Sequence, residues 1–184
     1  MKIKYTLPDD VKADALAELK EHLAMNGYDA EWLTGRDFVV SEEMTGYVDT
    51  ILSDRDIDSY NSEPLVKWYD DFEMENKSEG NEEDAYFTFL VGETIENEGE
   101  EDCKTYVYMD MRGFMNGCGE VTVYPYDDNT YPYVDVKSAY LHEDDGVTER
   151  HITIPENVYE KVKDLTEEAT VEEYNSRARD YEEP

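Results

Sequence analysis

Forty-eight acidic side chains against 16 basic ones leave this chain of 184 residues with a formal charge of −32. A small soluble domain carries about 2–8 net charges. Self-repulsion therefore opposes compaction, and any fold must hold the carboxylates at its surface over a core strong enough to offset that cost. The core material is present. Apolar residues make up 39% of the chain and aromatic residues 12%, with 16 tyrosines, which separates it from disordered acidic tails. Phosphates would be repelled, so the charge excludes nucleic acid as a direct partner and favours a basic protein surface or a cation. Halophilic adaptation is the other account of such acidity.

No apolar run approaches the roughly 18 residues that a membrane helix needs. The opening Met1-Lys2-Ile3-Lys4 lacks the apolar stretch of a secretory signal. The expected address is the cytoplasm, that of the host cell if a phage encodes the chain, with no membrane partner. Cys103 and Cys118 make no disulfide framework and are expected reduced.

The hydrophobic period changes along the chain, which predicts an α+β protein: an antiparallel sheet of about five strands flanked by N-terminal and C-terminal helices. Residues 1–75 read as a mainly helical part. A strand over 2–6 leads into a helix with Pro8 in its first turn, Val11, Leu16, Leu19 and Leu23 on one side, and Gly27 as its stop. Residues 30–33 and 38–40 suit a hairpin around Gly35. Ser41 is placed to cap a second helix carrying Met44, Tyr47, Val48, Ile51 and Leu52. A third helix is expected over 63–75, with Leu65, Trp68, Tyr69 and Phe72 on one side. From 76 to 184 the pattern alternates, after a polar loop at 76–84. Strands read at 85–91, 104–111, 120–126, 131–141 and 150–154. Two helices follow, one opened by Pro155 and one by the capping box Thr170-Val171-Glu172-Glu173.

A turn at Asp127-Asp128-Asn129-Thr130 fixes the register of one hairpin. Val121 then faces Val136 and Val123 faces Val134 on one side, while Glu120 meets Lys137, Tyr124 meets Tyr133 and Tyr126 meets Tyr131 on the other. Joining strand 104–111 through a loop at 112–118 sets Tyr106 and Tyr108 beside Tyr124. Six tyrosines then share one face. Helices cover that face as a second core layer, or it is an exposed aromatic sheet that stacks on arginines of a partner.

Catalytic patterns are missing. Carboxylate pairs are too numerous for any one to mark acid–base work, and no nucleophile–base motif, phosphate loop or dinucleotide fingerprint is present. The chain is expected not to be an enzyme. Asp54, Asp56 and Asp58 begin like a calcium loop, but Ser59 stands where glycine is needed and Leu65 where the bidentate glutamate is needed; an acidic interhelical loop fits better. Cys118, His142 and His151 are the metal candidates, without ligand spacing. No cofactor is expected, a divalent metal being the alternative.

Acids dominate long stretches. Residues 70–102 hold 14 acids against the single base Lys77, and Glu143-Asp144-Asp145 makes a further run. Thirty-two charges match about 54 Å of duplex DNA, roughly 16 base pairs. In size, in an isoelectric point near 4.1, in these runs and in the tyrosine-rich sheet, the chain resembles the DNA-mimic inhibitors of phages and mobile elements. These are anti-restriction and anti-CRISPR proteins, Cas9 inhibitors among them. The resemblance implies an inhibitor that binds the basic nucleic-acid-binding surface of a CRISPR-associated or restriction nuclease and blocks DNA loading in evasion of host defence. The residues expected to meet that partner are Asp70, Asp71, Glu82, Glu83, Asp84, Glu96, Glu98, Glu100, Glu101, Asp102, Asp127, Asp128, Glu143, Asp144 and Asp145, with Tyr106, Tyr108, Tyr124, Tyr126, Tyr131 and Tyr133. The alternatives are an acidic accessory or regulatory protein that binds a basic partner without blocking DNA, and a small metal-binding protein of a mobile element.

Overall fold

The structure is a computed structural model that describes residues 1–79, 84–99, 105–126, 138–141 and 151–180. The protein is α+β, with two antiparallel sheets in place of the single one expected. Two compact units divide the chain. One takes Met1–Lys67 and the chain from Thr94; the other takes Trp68–Glu93 and the chain from Thr105.

In the first unit, β1 (Lys2–Thr6), β2 (Glu31–Trp32), β3 (Asp37–Ser41) and β4 (Asn61–Pro64) line up as β2-β3-β1-β4. The hairpin expected around Gly35 is β2 and β3. Helix α1 spans Ala13–Met25 and α2 spans Thr45–Ser53, the latter after a short 3-10 turn at Glu42–Met44. Helix α1 starts later than the position of Pro8 suggested. The Pro8 carbonyl accepts from Val11 N–H at 3.2 Å in a separate turn. The alternation of β1 and β3 buries Ile3, Tyr5, Phe38 and Val40 against Leu19 and Leu23 of α1 and Val48, Ile51 and Leu52 of α2. Cross-strand pairing puts Trp32, Phe38 and Tyr5 in one row, with ring centroids 4.7 and 5.0 Å apart. The Tyr5 and Tyr60 hydroxyls each donate to Asp49 Oδ1 at 2.9 Å, tying β1, α2 and the approach to β4 together.

Both helices end in the same closure. At α1, Tyr28 N–H bonds Leu23 O and Gly27 N–H bonds Ala24 O; at α2, Ile57 N–H bonds Leu52 O and Asp56 N–H bonds Ser53 O. This Schellman arrangement requires a left-handed residue, ordinarily glycine. Gly27 fills it at φ +77°, whereas at α2 it is Asp56, at φ 55°, the only non-glycine with positive φ among the described residues. Its carboxylate also faces the negative end of the helix dipole. Asp56→Gly is therefore expected to stabilise the protein by about 0.5–1 kcal/mol, seen as a raised urea midpoint; an unchanged or lowered midpoint would mean that the carboxylate makes a compensating interaction. The chain runs on to a strand, so 54–58 is a helix terminus and not a calcium loop.

The second unit is built on β5 (Val66–Glu79), β6 (Asp84–Thr94), β7 (Tyr106–Met115), β8 (Val121–Pro125), β9 (Ser138–Leu141) and β10 (His151–Thr153), followed by α3 (Glu156–Asp180). The order is β10-β9-β7-β6-β5, with β8 also paired to β7. Three expectations are corrected. Residues 63–75 are not a helix: β4 ends at Pro64 and β5 covers the rest, and with it the expectation of a mainly helical part up to residue 75 gives way. The C-terminal region is one helix, not two. Thr170 does not cap; its Oγ1 donates back to Thr166 O at 2.7 Å, as Thr166 does to Val162 O, so both hydroxyls are satisfied within a continuous helix. The third is the register of β8, which pairs with β7 over Met111–Met115.

One face of this sheet forms the core. Ala85, Phe87, Phe89 and Val91 of β6 and Val107, Met109, Met111 and Met115 of β7 are buried, as are Val158, Tyr159, Val162, Thr166 and Thr170 of α3. The helix lies so close to β7 that a Cβ on Gly113 would stand 2.8 Å from Thr170 Cβ. Glu173, read from sequence as half of a capping box, is instead a buried ion-pair hub. It takes Lys77 of β5 and Arg177, and Arg177 reaches Asp84 O at 3.2 Å. The Lys77 ammonium, with help from Arg177, holds the Glu173 carboxyl below its ordinary range against the opposing effect of burial.

Candidate functional site

Alternation that buries one side of β6 and β7 turns Tyr86, Thr88, Tyr106, Tyr108, Asp110 and Arg112 to the other; pairing of β8 with β7 sets Tyr124 opposite Arg112, and the Tyr126 ring lies against that of Tyr86. Tyr106, Tyr108, Tyr124 and Tyr126 thus share a face, as expected, and α3 covers the opposite one. Their arrangement differs from the expectation. Strand β7 runs on to Met115, and the turn is organised by Asn116, whose Oδ1 accepts from Cys118 and Glu120 N–H at 2.9 and 3.0 Å. Tyr124 therefore lies opposite Arg112, not beside Tyr108, whose neighbour on that side is Tyr140 of β9. The hairpin partners Tyr131, Tyr133, Val134, Val136 and Lys137, with Asp127 and Asp128, lie outside the described residues.

The face is a series of cross-strand rows. In one, Tyr86, Arg112 and Tyr124 are in register. The Arg112 guanidinium lies 5.8 Å from the Tyr86 ring and 5.3 Å from the Tyr124 ring, and its Nε and Nη2 donate to Asp84 Oδ1 at 2.9 and 2.7 Å. In the next row Thr88 pairs with Asp110. Thr88 Oγ1 donates to Asp110 Oδ1 at 2.6 Å, and Tyr126 N–H bonds Asp110 O at 2.9 Å. An open groove of about 290 Å³ lies here, lined by Ser78, Tyr86, Thr88, Asp110 and Tyr126 among others. Farther along, Tyr69 of β5 donates to Glu93 Oε2 at 3.0 Å, and Glu93 pairs with Tyr106, which is 45% exposed.

Tyr5 and Tyr60 in the first unit and Tyr69 and Tyr108 in the second hold their protons above the ordinary phenol range. Burial, then the hydrogen bond to Glu93, pushes Tyr69 up to about 12. Burial, then Asp49, does the same to Tyr60, up to about 12, and raises Tyr5 further. Tyr108 is raised by burial and by the nearby Glu75. An unfolded phenol titrates near 10. Above that pH the unfolded chain releases protons that the folded chain retains. Stability is therefore whole below pH 10 and is lost as pH rises toward 12. Urea midpoints at pH 7, 9 and 11 are expected to hold between the first two and drop at the third, with a smaller drop for Tyr60→Phe; a flat profile to pH 11 would contradict this.

The expected contact residues divide. Asp70 and Asp71 are exposed on β5, with Glu73 and Glu75 beyond them; Lys161 reaches Asp71 at 3.5 Å. Glu98 is exposed but belongs to the first unit. Asp84 and Glu96 are engaged internally: Asp84 is 4% exposed under Arg112, and the Glu96 side chain is buried against the Met1 amino group at 3.0 Å. Glu82, Glu83, Glu100, Glu101, Asp102, Glu143, Asp144 and Asp145 lie outside the described residues, as does His142. Cys118 is an exposed free thiol, and among the described residues no cluster of His, Cys, Asp and Glu is placed to hold a metal ion. Among those residues, too, no helix is long and apolar enough to cross a membrane.

Sequence reasoning missed the most regular acidic feature. Glu156, Glu160, Asp164, Glu168 and Glu172 recur every fourth residue along α3, and all are exposed. Successive members are about 6 Å apart along an axis of about 24 Å. Two cations of the helix are engaged away from the stripe and one meets it. Lys161 lies 5.1 Å from the Phe72 ring and reaches Asp71, and Arg177 turns to Glu173 and Asp84; Lys163 sits 3.7 Å from Glu160. Splitting the helix at Thr170 hid the stripe by breaking its spacing. Compared with protein-family models, curated proteins and solved structures, the chain matches none of them.

Proposed function

We propose that the protein is an acidic inhibitor that occupies the basic nucleic-acid-binding surface of another protein, a CRISPR nuclease of the Cas9 type or a restriction enzyme, and excludes DNA from it. The carboxylate stripe of α3 carries this reading. A solvated helix face ordinarily mixes signs, because like charges four residues apart cost about 0.2–0.5 kcal/mol per pair. Here the same sign recurs over five positions, on a helix whose other side is fixed to a sheet by packing and by Glu173. Such spacing suits a cationic groove built for a phosphate strand, which rises about 3.4 Å per charge while also winding around its axis. The exposed acids of β5 and a net charge of −32 add long-range attraction, which speeds association with a basic partner.

The test is competition. Excess protein is expected to displace labelled target duplex from a guide-loaded Cas9-type nuclease or from a restriction enzyme, with an effect that weakens as salt rises. A stable complex in which the nuclease still binds DNA would instead favour an accessory role. No displacement from either enzyme at any salt would remove these targets.

A further inference from the structure

We propose that the outer edge of β5 receives an extended basic segment of a partner protein as an added strand, which rests on the reading of this protein as a binder of basic surfaces and names the form in which the partner is held.

Strand β5 ends the larger sheet, beyond β6. Backbone N–H and C=O groups on the outer side of an end strand lack a ladder partner and can pair with another chain. Folds commonly blunt such edges by keeping them short. The other end strands are short: β2 has 2 residues, β4 has 4 and β10 has 3. Strand β5 has 14 and contains no proline. Among the described residues no strand pairs with its outer side.

The side chains along this edge select what can pair there. Period two sets Glu73 and Glu75 on the face of Tyr69, about 7 Å apart. Both are exposed, and among the described residues neither carboxylate makes a hydrogen bond or an ion pair. Phe72 and Met74 take the other face, where Lys161 of α3 lies 5.1 Å from the Phe72 ring and Met74 is 43% exposed. An incoming strand therefore meets carboxylates on one face and an apolar strip on the other. A segment that alternates Lys or Arg with apolar residues complements both. A second copy of β5 does not fit. Antiparallel pairing would set carboxylates against carboxylates, which is destabilising, between two molecules that each carry −32. The acids guard the edge against self-pairing and leave it open to a basic strand.

The experiment follows amide hydrogen exchange in the isotopically labelled full chain by NMR, with and without a short capped peptide that alternates lysine and valine. In the free protein the outward amides between Asp70 and Glu75 are expected to exchange fast. The peptide should protect every second one of them. N-methylation of the peptide at one alternate set of residues should abolish binding, and at the other set leave it intact, because only one set of N–H groups faces β5. Glu73→Gln with Glu75→Gln, both at exposed positions, should weaken the peptide about fivefold. Equal binding of the two methylated peptides would show charge attraction without strand pairing and overturn the proposal. Absence of binding at millimolar peptide would overturn it too, as would shifts confined to α3. Protection of these amides without peptide, at any protein concentration, would mean that the edge is already taken by another part of the chain or by a second copy, and would likewise overturn it. DNA competition that fails while the peptide pairs with β5 would send the functional reading to a different basic partner. Competition that succeeds without strand pairing would overturn the edge site alone.

Discussion

Gly113→Ala is expected to destabilise the protein by about 2–3 kcal/mol, the largest loss from any single methyl group here. The added Cβ would fall 2.8 Å from Thr170 Cβ and 3.0 Å from Cγ2, with Oγ1 nearer still. Thr170 has no room to yield. It is 3% exposed, its hydroxyl is committed to Thr166 O, and β-branching leaves a heavy atom toward the strand in most of its rotamers. The helix cannot lift without exposing Val158 and Val162 and parting Glu173 from Lys77. Urea unfolding should show the loss. Adding Thr170→Ala removes Oγ1 and Cγ2 but keeps Cβ, so it should restore part of the stability lost, giving a coupling that two independent sites would not show. A loss well under 1 kcal/mol for Gly113→Ala would mean that α3 is not seated on β7 at this point.

The same contact explains what was legible in the sequence and what was not. Tyr106, Val107, Tyr108, Met109 and Met111 alternate cleanly, and period two alone assigns them to opposite faces. Gly27 and the strand at 2–6 were likewise readable from local chemistry. Segment 63–75 was not. Leu65, Trp68, Tyr69 and Phe72 fall at helical intervals, yet Phe72 and Met74 alternate with Glu73 and Glu75, and pairing with β6, a non-local interaction, decides for strand. Thr170 and Glu173 carry a genuine capping signature, overridden because Thr170 packs on a glycine 57 positions earlier in the chain and Glu173 finds Lys77. The position of Tyr124 depended on where β7 stops, which is set by the side chain of Asn116. The tyrosine face could therefore be assigned from local pattern, but its rows could not, and the acidic stripe of α3 emerged only once the helix was known to be continuous.

Neutralising that stripe is expected to separate function from stability by sign. In a variant carrying Glu160→Gln, Asp164→Asn, Glu168→Gln and Glu172→Gln, four like-charge pairs disappear, counting the one between Glu156 and Glu160. Each costs about 0.2–0.5 kcal/mol, so the folded protein should gain about 1–2 kcal/mol in urea unfolding, less the small contribution of Lys163 to Glu160. Binding to a basic partner should move the other way, weakening about a hundredfold at low salt, within the range that electrostatic steering supplies. The difference should shrink as salt shortens the screening length from about 10 Å at 0.1 M to about 3 Å at 1 M. A variant neutralised to the same extent at Asp9, Asp10, Asp14 and Glu18, all exposed in the first unit, controls for net charge. Equal losses in the two variants would make total charge the determinant and remove the special role of α3. If the stripe variant instead lost stability and kept its affinity, the carboxylates would serve the fold and the inhibitor reading would fall. Higher stability together with lower affinity is the combination expected of charges placed for a partner, because the repulsion they impose on the free protein is relieved only when a cationic surface lies against them.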